Sequence, residues 1–310
     1  MSDAMTKWES RGRRLATATA AGNVFVIDEP GSGSGAGSGA GSRGASGRDP
    51  ILVLHGFPTC SYDWAPVLDV LTDHGRTVLL DLPGYGLSDK PDRAYSLFDQ
   101  ADTVEAVAGE LGLTSVVLVS HDMGDSVGGE LLARDLDGEL GFSVSGRVVT
   151  NGSIYLELAQ LTDGQKLLES LPDAALAEDA GLGADGLVAA LRATLAPGST
   201  GADAELATSA EMIVRAGGNR LLPRLIRYLS QRREHETRWT GAIEAHPAPL
   251  AILWGELDPI AVYPMAERLH AARPDSLLTR LDGLGHYPML EDPARFGAAL
   301  TDAFRFLADS

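Results

Sequence analysis

The sequence predicts an α/β fold in which a mostly parallel sheet carries helices on both faces and receives a helical cap. Two observations predict it. From residue 51 onward, short apolar runs alternate with longer amphipathic stretches, the pattern of strand-helix-strand units. From about Tyr155 to Trp239 the alternation stops, leaving Leu- and Ala-rich helical pattern and loops such as Pro197-Gly198-Ser199-Thr200-Gly201. An all-helical insertion between two strands is expected to lie over the strand ends, where ligands of such sheets bind. The expected organisation is a core of residues 1–154 and 240–310, with a cap of residues 155–239.

The first strand-like run is Val24-Phe25-Val26-Ile27. It is followed by Gly31 to Gly47, almost entirely Gly, Ser and Ala with one Arg, which has too little apolar surface to offset the entropy of ordering it. A flexible surface loop inside the domain is expected there. It is not a phosphate cradle, because neither a GK[ST] ending nor a G-x-G-x-x-G entry into a helix follows. Strands are expected near 51–55, 77–81, 115–120, 147–150, 250–254 and 277–281. Helices are expected near 63–74, 96–111, 124–134, 264–272 and 292–308.

The 310 residues and 44% hydrophobic content suffice for a sizeable core. A net charge of −18, from 43 acidic against 25 basic side chains, opposes binding to nucleic acid or an anionic membrane surface. The single cysteine, Cys60, has no intramolecular partner for a disulfide, and its neighbours lack metal-ligand spacing, so neither metal nor cofactor is expected. No apolar stretch reaches the roughly 18 residues of a membrane span. The start, Met1 to Arg14, lacks the apolar core of a signal peptide, and a cytoplasmic location is expected by default. Nothing in the sequence specifies an oligomeric state.

Chemistry concentrates at Ser120-His121-Asp122-Met123-Gly124, between the apolar run Ser115 to Val119 and a helix-compatible stretch. A tight strand-to-helix turn with small flanking residues exposes its central side chain, usually a serine in G-x-S-x-G. Here the central residue is Asp122. A carboxylate is an anion at neutral pH and attacks an electrophilic carbon without a base, giving an alkyl-enzyme ester. The competing expectation is that Asp122 only caps the helix.

Two flanking features weigh against that plain role. His55-Gly56-Phe57-Pro58-Thr59 follows the first strongly buried strand, so the Phe57 and Met123 N–H groups are the candidate oxyanion donors. Gly285-His286-Tyr287-Pro288 follows the last strand and supplies His286 as the base. Asp258, in Trp254-Gly255-Glu256-Leu257-Asp258-Pro259, is the acid expected to support it, with Glu256 as competitor. His286 would then act on water in the second half-reaction, since Asp122 has no proton to give. Tyr228 and Tyr155 are candidate proton donors, and His55, Tyr155 and Trp239 are expected at the substrate pocket.

These residues resemble the epoxide hydrolase and haloalkane dehalogenase branch of the α/β-hydrolase superfamily. The resemblance rests on HGFP at 55–58, DLPGYGLSDKP at 81–91, SHDMG at 120–124, GELDP at 255–259 and GHYPMLEDP at 285–293, in that order, from about residue 50 to the end. HGFPTCSYDW at 55–64, SHDMGDSVGGELL at 120–132 and RYLSQRREHETRW at 227–239 are similar to the mesoderm-specific-transcript group. The resemblance implies an α/β-hydrolase fold, Asp122 as nucleophile, His286 as base, Asp258 as its acid and Tyr228 as an epoxide-polarising tyrosine. It implies a small hydrophobic organic substrate and water, with no cofactor. Met123 and Phe57 stand where dehalogenases carry halide-binding side chains, which favours epoxide opening to a diol over carbon-halogen hydrolysis. A binding protein on a hydrolase scaffold is the expectation from a different class.

Overall fold

The computed structural model describes residues 2–17, 19, 22–32 and 48–310. Most of the expected flexible loop, residues 33–47, lies outside the described residues. Its start is described: Ser32 N–H donates to the Thr72 carbonyl at 2.9 Å and its hydroxyl bonds Asp73 at 2.7 Å.

Among the described residues eight strands form one sheet: β1 (Arg13–Ala16), β2 (Asn23–Glu29), β3 (Ile51–Leu54), β4 (Thr77–Leu80), β5 (Ser115–His121), β6 (Ser143–Thr150), β7 (Leu250–Gly255) and β8 (Leu277–Leu281), in the order β1-β2-β4-β3-β5-β6-β7-β8. The β1–β2 and β2–β4 pairs are antiparallel, and all pairs from β4 to β8 are parallel. Burial explains which strands the sequence announced. β3 is Ile-Leu-Val-Leu and fully buried, as a central parallel strand must be. β1, Arg-Arg-Leu-Ala, is an exposed edge and carries no apolar signal.

The helices are α1 (Asp3–Arg11), α2 (Leu68–His74), α3 (Leu97–Glu110), α4 (Met123–Asp137), α5 (Asp163–Ser170), α6 (Ala184–Arg192), α7 (Asp203–Val214), α8 (Leu222–Leu225), α9 (Tyr228–Ala245), α10 (Pro264–Ala272), α11 (Pro288–Glu291) and α12 (Pro293–Asp309). Before α2, residues Ser61–Val67 form a 3₁₀ turn containing Pro66, so the helix expected from residue 63 starts later. α1 begins at a Ser2 cap and buries Met5 and Trp8, three residues apart, with Trp8 Nε1 donating to Ser61. No helix of the described residues is long and apolar enough to cross a membrane.

The interval from β6 to β7 holds α5 to α9 and, among the described residues, no strand. The boundary expected at 239/240 falls inside α9, which kinks at His235 (φ −114°, ψ 17°). This long helix decides what hangs over the sheet. Its far end is fixed by the buried Arg147 of β6, which donates to the carbonyls of Ile243 at 2.7 Å and His246 at 2.9 Å. In its middle it meets α4 closely: a Cβ at Gly129 would lie 3.0 Å from the Trp239 Cβ. Clamped in this way, the first turns of α9 lie against the start of α4, beside the end of β5.

Candidate active site

The end of β5 turns into α4 at Asp122, whose φ of 51° and ψ of −113° are unusual for a residue with a side chain. The turn is tight because its neighbours are small. A Cβ at Gly124 would lie 2.8 Å from the His55 carbonyl oxygen, and one at Gly56 2.7 Å from the Asp122 Cβ. The Asp122 side chain makes no capping bond to α4. Its Oδ2 instead accepts the Phe57 N–H at 2.9 Å. Among the described residues no hydrogen bond joins the Met123 N–H to that carboxylate; this N–H belongs to the unpaired first turn of α4. The Met123 sulfur accepts the Tyr85 hydroxyl at 3.2 Å.

His286 is 2% exposed, and its Nδ1 donates to Asp258 Oδ2 at 2.8 Å. That carboxylate is fully engaged. Its Oδ1 accepts the N–H groups of Ile260 at 2.7 Å and Ala261 at 3.0 Å, while Oδ2 also accepts Asn151 Nδ2 at 2.7 Å. Burial lowers the His286 pKa, but the charge and hydrogen bond of Asp258, with Asp122 and Glu291 beyond, outweigh burial and raise it to about 9. Glu256 does not compete: it accepts the Gly283 N–H and faces Arg280 on the surface. The histidine loop is tied to the helical interval, since His286 N–H donates to the Thr194 carbonyl and Glu291 accepts Ala196 N–H.

Above this group lies a cavity of about 250 Å³, lined by Leu side chains of the helical interval and, on the sheet side, by Phe57, Ile260, His286 and Tyr287. Asp122 and Tyr228 adjoin it through Phe57 and are not themselves part of the lining. Tyr228 opens α9, and its ring centroid is 5.5 Å from that of Phe57. Burial raises its hydroxyl pKa, the nearby Asp122 adds to the rise, and Arg232 and Gln165 oppose it. Gln165 lines the cavity from α5, its Oε1 accepting the Thr162 N–H in a capping box. A more open depression between α4 and α9, lined by Leu136, Glu234 and Arg238, does not include Asp122, and no group of three or more metal-ligating side chains occurs among the described residues.

Three expected pocket residues are elsewhere, each committed to a structural partner. His55 bonds the Gly56 carbonyl through Nδ1 and accepts the Leu82 N–H at Nε2, which holds the turn whose Phe57 N–H meets Asp122. Tyr155 donates to Glu244 at 2.7 Å, with the Arg268 guanidinium 4.0 Å over its ring. Trp239 donates to Glu130 at 2.9 Å where α9 crosses α4.

Four residues of the site escaped sequence reasoning: Asn151, Gln165, Tyr287 and Arg232. Asn151 has a φ of 50° at the end of β6 and accepts Gly255 N–H while holding Asp258. Tyr287 is buried against the His286 ring, with its hydroxyl 3.4 Å from the Phe57 carbonyl. Only Gln165 had a readable signal, the Thr162-x-x-Gln165 capping pattern.

Residues 51–299 match the model of a family described as alpha/beta hydrolase. LipZ of Mycobacterium tuberculosis is 37% identical over 299 residues, covering 96% of this chain and 97% of LipZ. The human mesoderm-specific transcript homolog protein is 35% identical over 262 residues, 79% of this chain and 76% of that protein. A haloalkane dehalogenase variant from Bradyrhizobium elkanii superposes with a TM-score of 0.71 at 20% identity, over 96% of this chain and 97% of that one.

Proposed function

The chain belongs to the alpha/beta hydrolase family, and from that premise we propose that it opens epoxides to vicinal diols through an ester on Asp122. The observation that carries the reading is the Asp122 carboxylate, standing uncapped at the elbow with the Phe57 N–H on Oδ2 and the His286–Asp258 pair beside it. One Asp122 oxygen bonds an epoxide carbon, the ring C–O bond breaks, and its electron pair stays on oxygen, which takes the Tyr228 proton. His286 then removes a proton from water, and the hydroxide attacks the ester carbonyl. The Phe57 and Met123 N–H groups face the resulting oxyanion. Collapse releases the diol and restores the carboxylate, and the proton held by His286 returns to Tyr228, so no net proton is consumed.

Residues 155–239 act here as a cap that closes an apolar chamber over this chemistry, which suits a small hydrophobic substrate and no cofactor. Carbon-halogen hydrolysis is the second reading, favoured by the 43% identity to an Agrobacterium fabrum haloalkane dehalogenase over 88 residues. Against it, no tryptophan N–H to receive a halide lines the cavity among the described residues.

The test is His286→Ala protein with a panel of epoxides, read by intact mass. An adduct of one substrate mass that persists is the expected result, and its absence across the panel overturns the ester route. With native protein in heavy-oxygen water, a single turnover should label Asp122 and leave the diol unlabelled. Halide release without any diol formation would move the assignment to the second reading.

A further inference from the structure

Arg232 lies one turn along α9 from Tyr228, on the same face, and is 3% exposed. Its Nε donates to Ser126 at 2.8 Å, and its Nη2 reaches the Asp122 carbonyl at 3.4 Å. Its Cζ lies 5.0 Å from the Tyr228 ring centroid. Among the described residues no carboxylate is ion-paired with it. A guanidinium withdrawn from water without an ion pair is costly, so its place here calls for a compensating charge nearby. Asp125 does not supply it, because burial pushes that carboxyl well above the usual range and its Oδ1 is bonded to Ser120. The remaining acidic residue that it touches is Asp122, through the backbone carbonyl.

In the first half-reaction one unit of negative charge leaves the Asp122 carboxylate and arrives at the epoxide oxygen and the Tyr228 phenol. Arg232 touches both ends of that path: the backbone of one and the ring of the other. We propose that Arg232 is a positioning residue whose fixed charge follows this transfer, stabilising the phenolate that develops at Tyr228 while holding the nucleophile elbow through the Asp122 carbonyl. The proposal rests on the epoxide reading above. Its charge component is specific to the ester-forming step, because hydrolysis returns the charge to Asp122.

The experiment is a double-mutant cycle on the single-turnover rate of ester formation, read by rapid quench and intact mass with an epoxide that the native protein turns over. Arg232→Gln keeps a donor for Ser126 without the charge, and Arg232→Lys keeps the charge without the planar fork. With Tyr228 present, Arg232→Gln should slow ester formation roughly 10- to 30-fold with little change in KM, the size of a desolvated cation-ring interaction. In a Tyr228→Phe background the same change should cost much less, and Arg232→Lys should recover most of the rate. Equal slowing in both backgrounds, or a lysine variant as slow as the glutamine one, overturns the electrostatic role. If Tyr228→Phe alone leaves ester formation unchanged, the tyrosine assignment fails first and this inference falls with it.

Discussion

The two halves of the site are built differently. On the sheet side, backbone N–H groups hold the two carboxylates, Phe57 N–H on Asp122 and the Ile260 and Ala261 N–H groups on Asp258, with the Asn151 amide also on Asp258. On the helical side, Tyr228 is held by side chains, packed on the Phe57 ring and under the Arg232 guanidinium. A backbone-held group keeps its place when a neighbouring side chain is changed, whereas one held by side chains moves with any of them. Substitutions on the sheet side should therefore remove chemistry without moving geometry. Those on the helical side should retune it.

The largest effect tests the sheet side. Asp122→Ala should lower turnover by about 10⁴-fold or more, with no ester detectable, because it removes the carboxylate that the proposed ester forms on. Circular dichroism should match the native protein, since the elbow's tightness comes from Gly56 and Gly124, while the melting temperature should fall, because the buried Arg232 loses a nearby negative charge. A variant that retains a tenth of the activity would break the comparison at its first step.

The acid gives the next largest effect and carries a pH signature. Asp258→Asn should slow ester hydrolysis roughly 10³- to 10⁴-fold while leaving ester formation close to native, so the ester accumulates. In the proposed hydrolysis His286 accepts a proton from water only when it is neutral. The His286 pKa of about 9 belongs to the protein with a free Asp122 carboxylate, so it sets the upper bound of the pH up to which native hydrolysis should rise. Alkylation removes the Asp122 charge, one of the groups holding the pKa up, so the limb in the ester form should lie below that value. Without Asp258, burial is no longer outweighed, and the limb should shift further toward acid. A limb that stays in place would assign the titration to another group.

How much of this was legible follows the same division. The central strands announced themselves as short apolar runs because both sheet faces are covered, and Asp122, Asp258 and His286 sat at their carboxyl ends in readable order. β1 was silent because an exposed edge of Arg-Arg-Leu-Ala has no pattern to read. The helical interval was legible as helix but not as packing, since which side chains of α9 turn inward depends on the clamp between Gly129 and Trp239. Arg232 stood in a charged run, Arg232-Arg233-Glu234, that reads as a solvated surface, yet only its neighbours are exposed to any extent. Trp239, His55 and Tyr155 looked like pocket residues because aromatic and imidazole groups suit a pocket, but each is bound to Glu130, Leu82 or Glu244.

The helical side should respond more mildly. Tyr228→Phe should slow ester formation about 10²-fold or somewhat more, the range of a single general acid, and leave hydrolysis of a preformed ester nearly unchanged. Gln165→Leu should have a smaller effect in the same step, since Gln165 bears on Tyr228 and not on Asp122. It also removes the return half of the α5 capping box, so its melting temperature should fall by a few degrees, where Tyr228→Phe should not. Equal loss in both half-reactions for Tyr228→Phe would mean that the tyrosine shapes the chamber instead of donating a proton.

The smallest effect on turnover, and the sharpest on stability, belongs to a sheet-side carboxyl outside the proposed chemistry. Asp63 is fully buried behind the site, bonded to Thr59 through Oδ2, with no partner for Oδ1 among the described residues. Burial raises its pKa to about 8. The folded protein therefore holds a proton there between roughly pH 4 and 8 that the unfolded chain has released, so stability falls as pH rises through that window and levels off above it. Asp63→Asn removes the ionisation and leaves an acceptor for Thr59. Its melting temperature should be close to native near pH 4 and exceed it by about 5 °C or more near pH 9, with turnover little changed. A constant difference across that range would mean that Asp63 stays charged in the folded protein, with its Oδ1 satisfied by water. The sheet side would then hold a buried anion beside His286 that lends the base part of its raised pKa, and Asp63→Asn would slow ester hydrolysis as well.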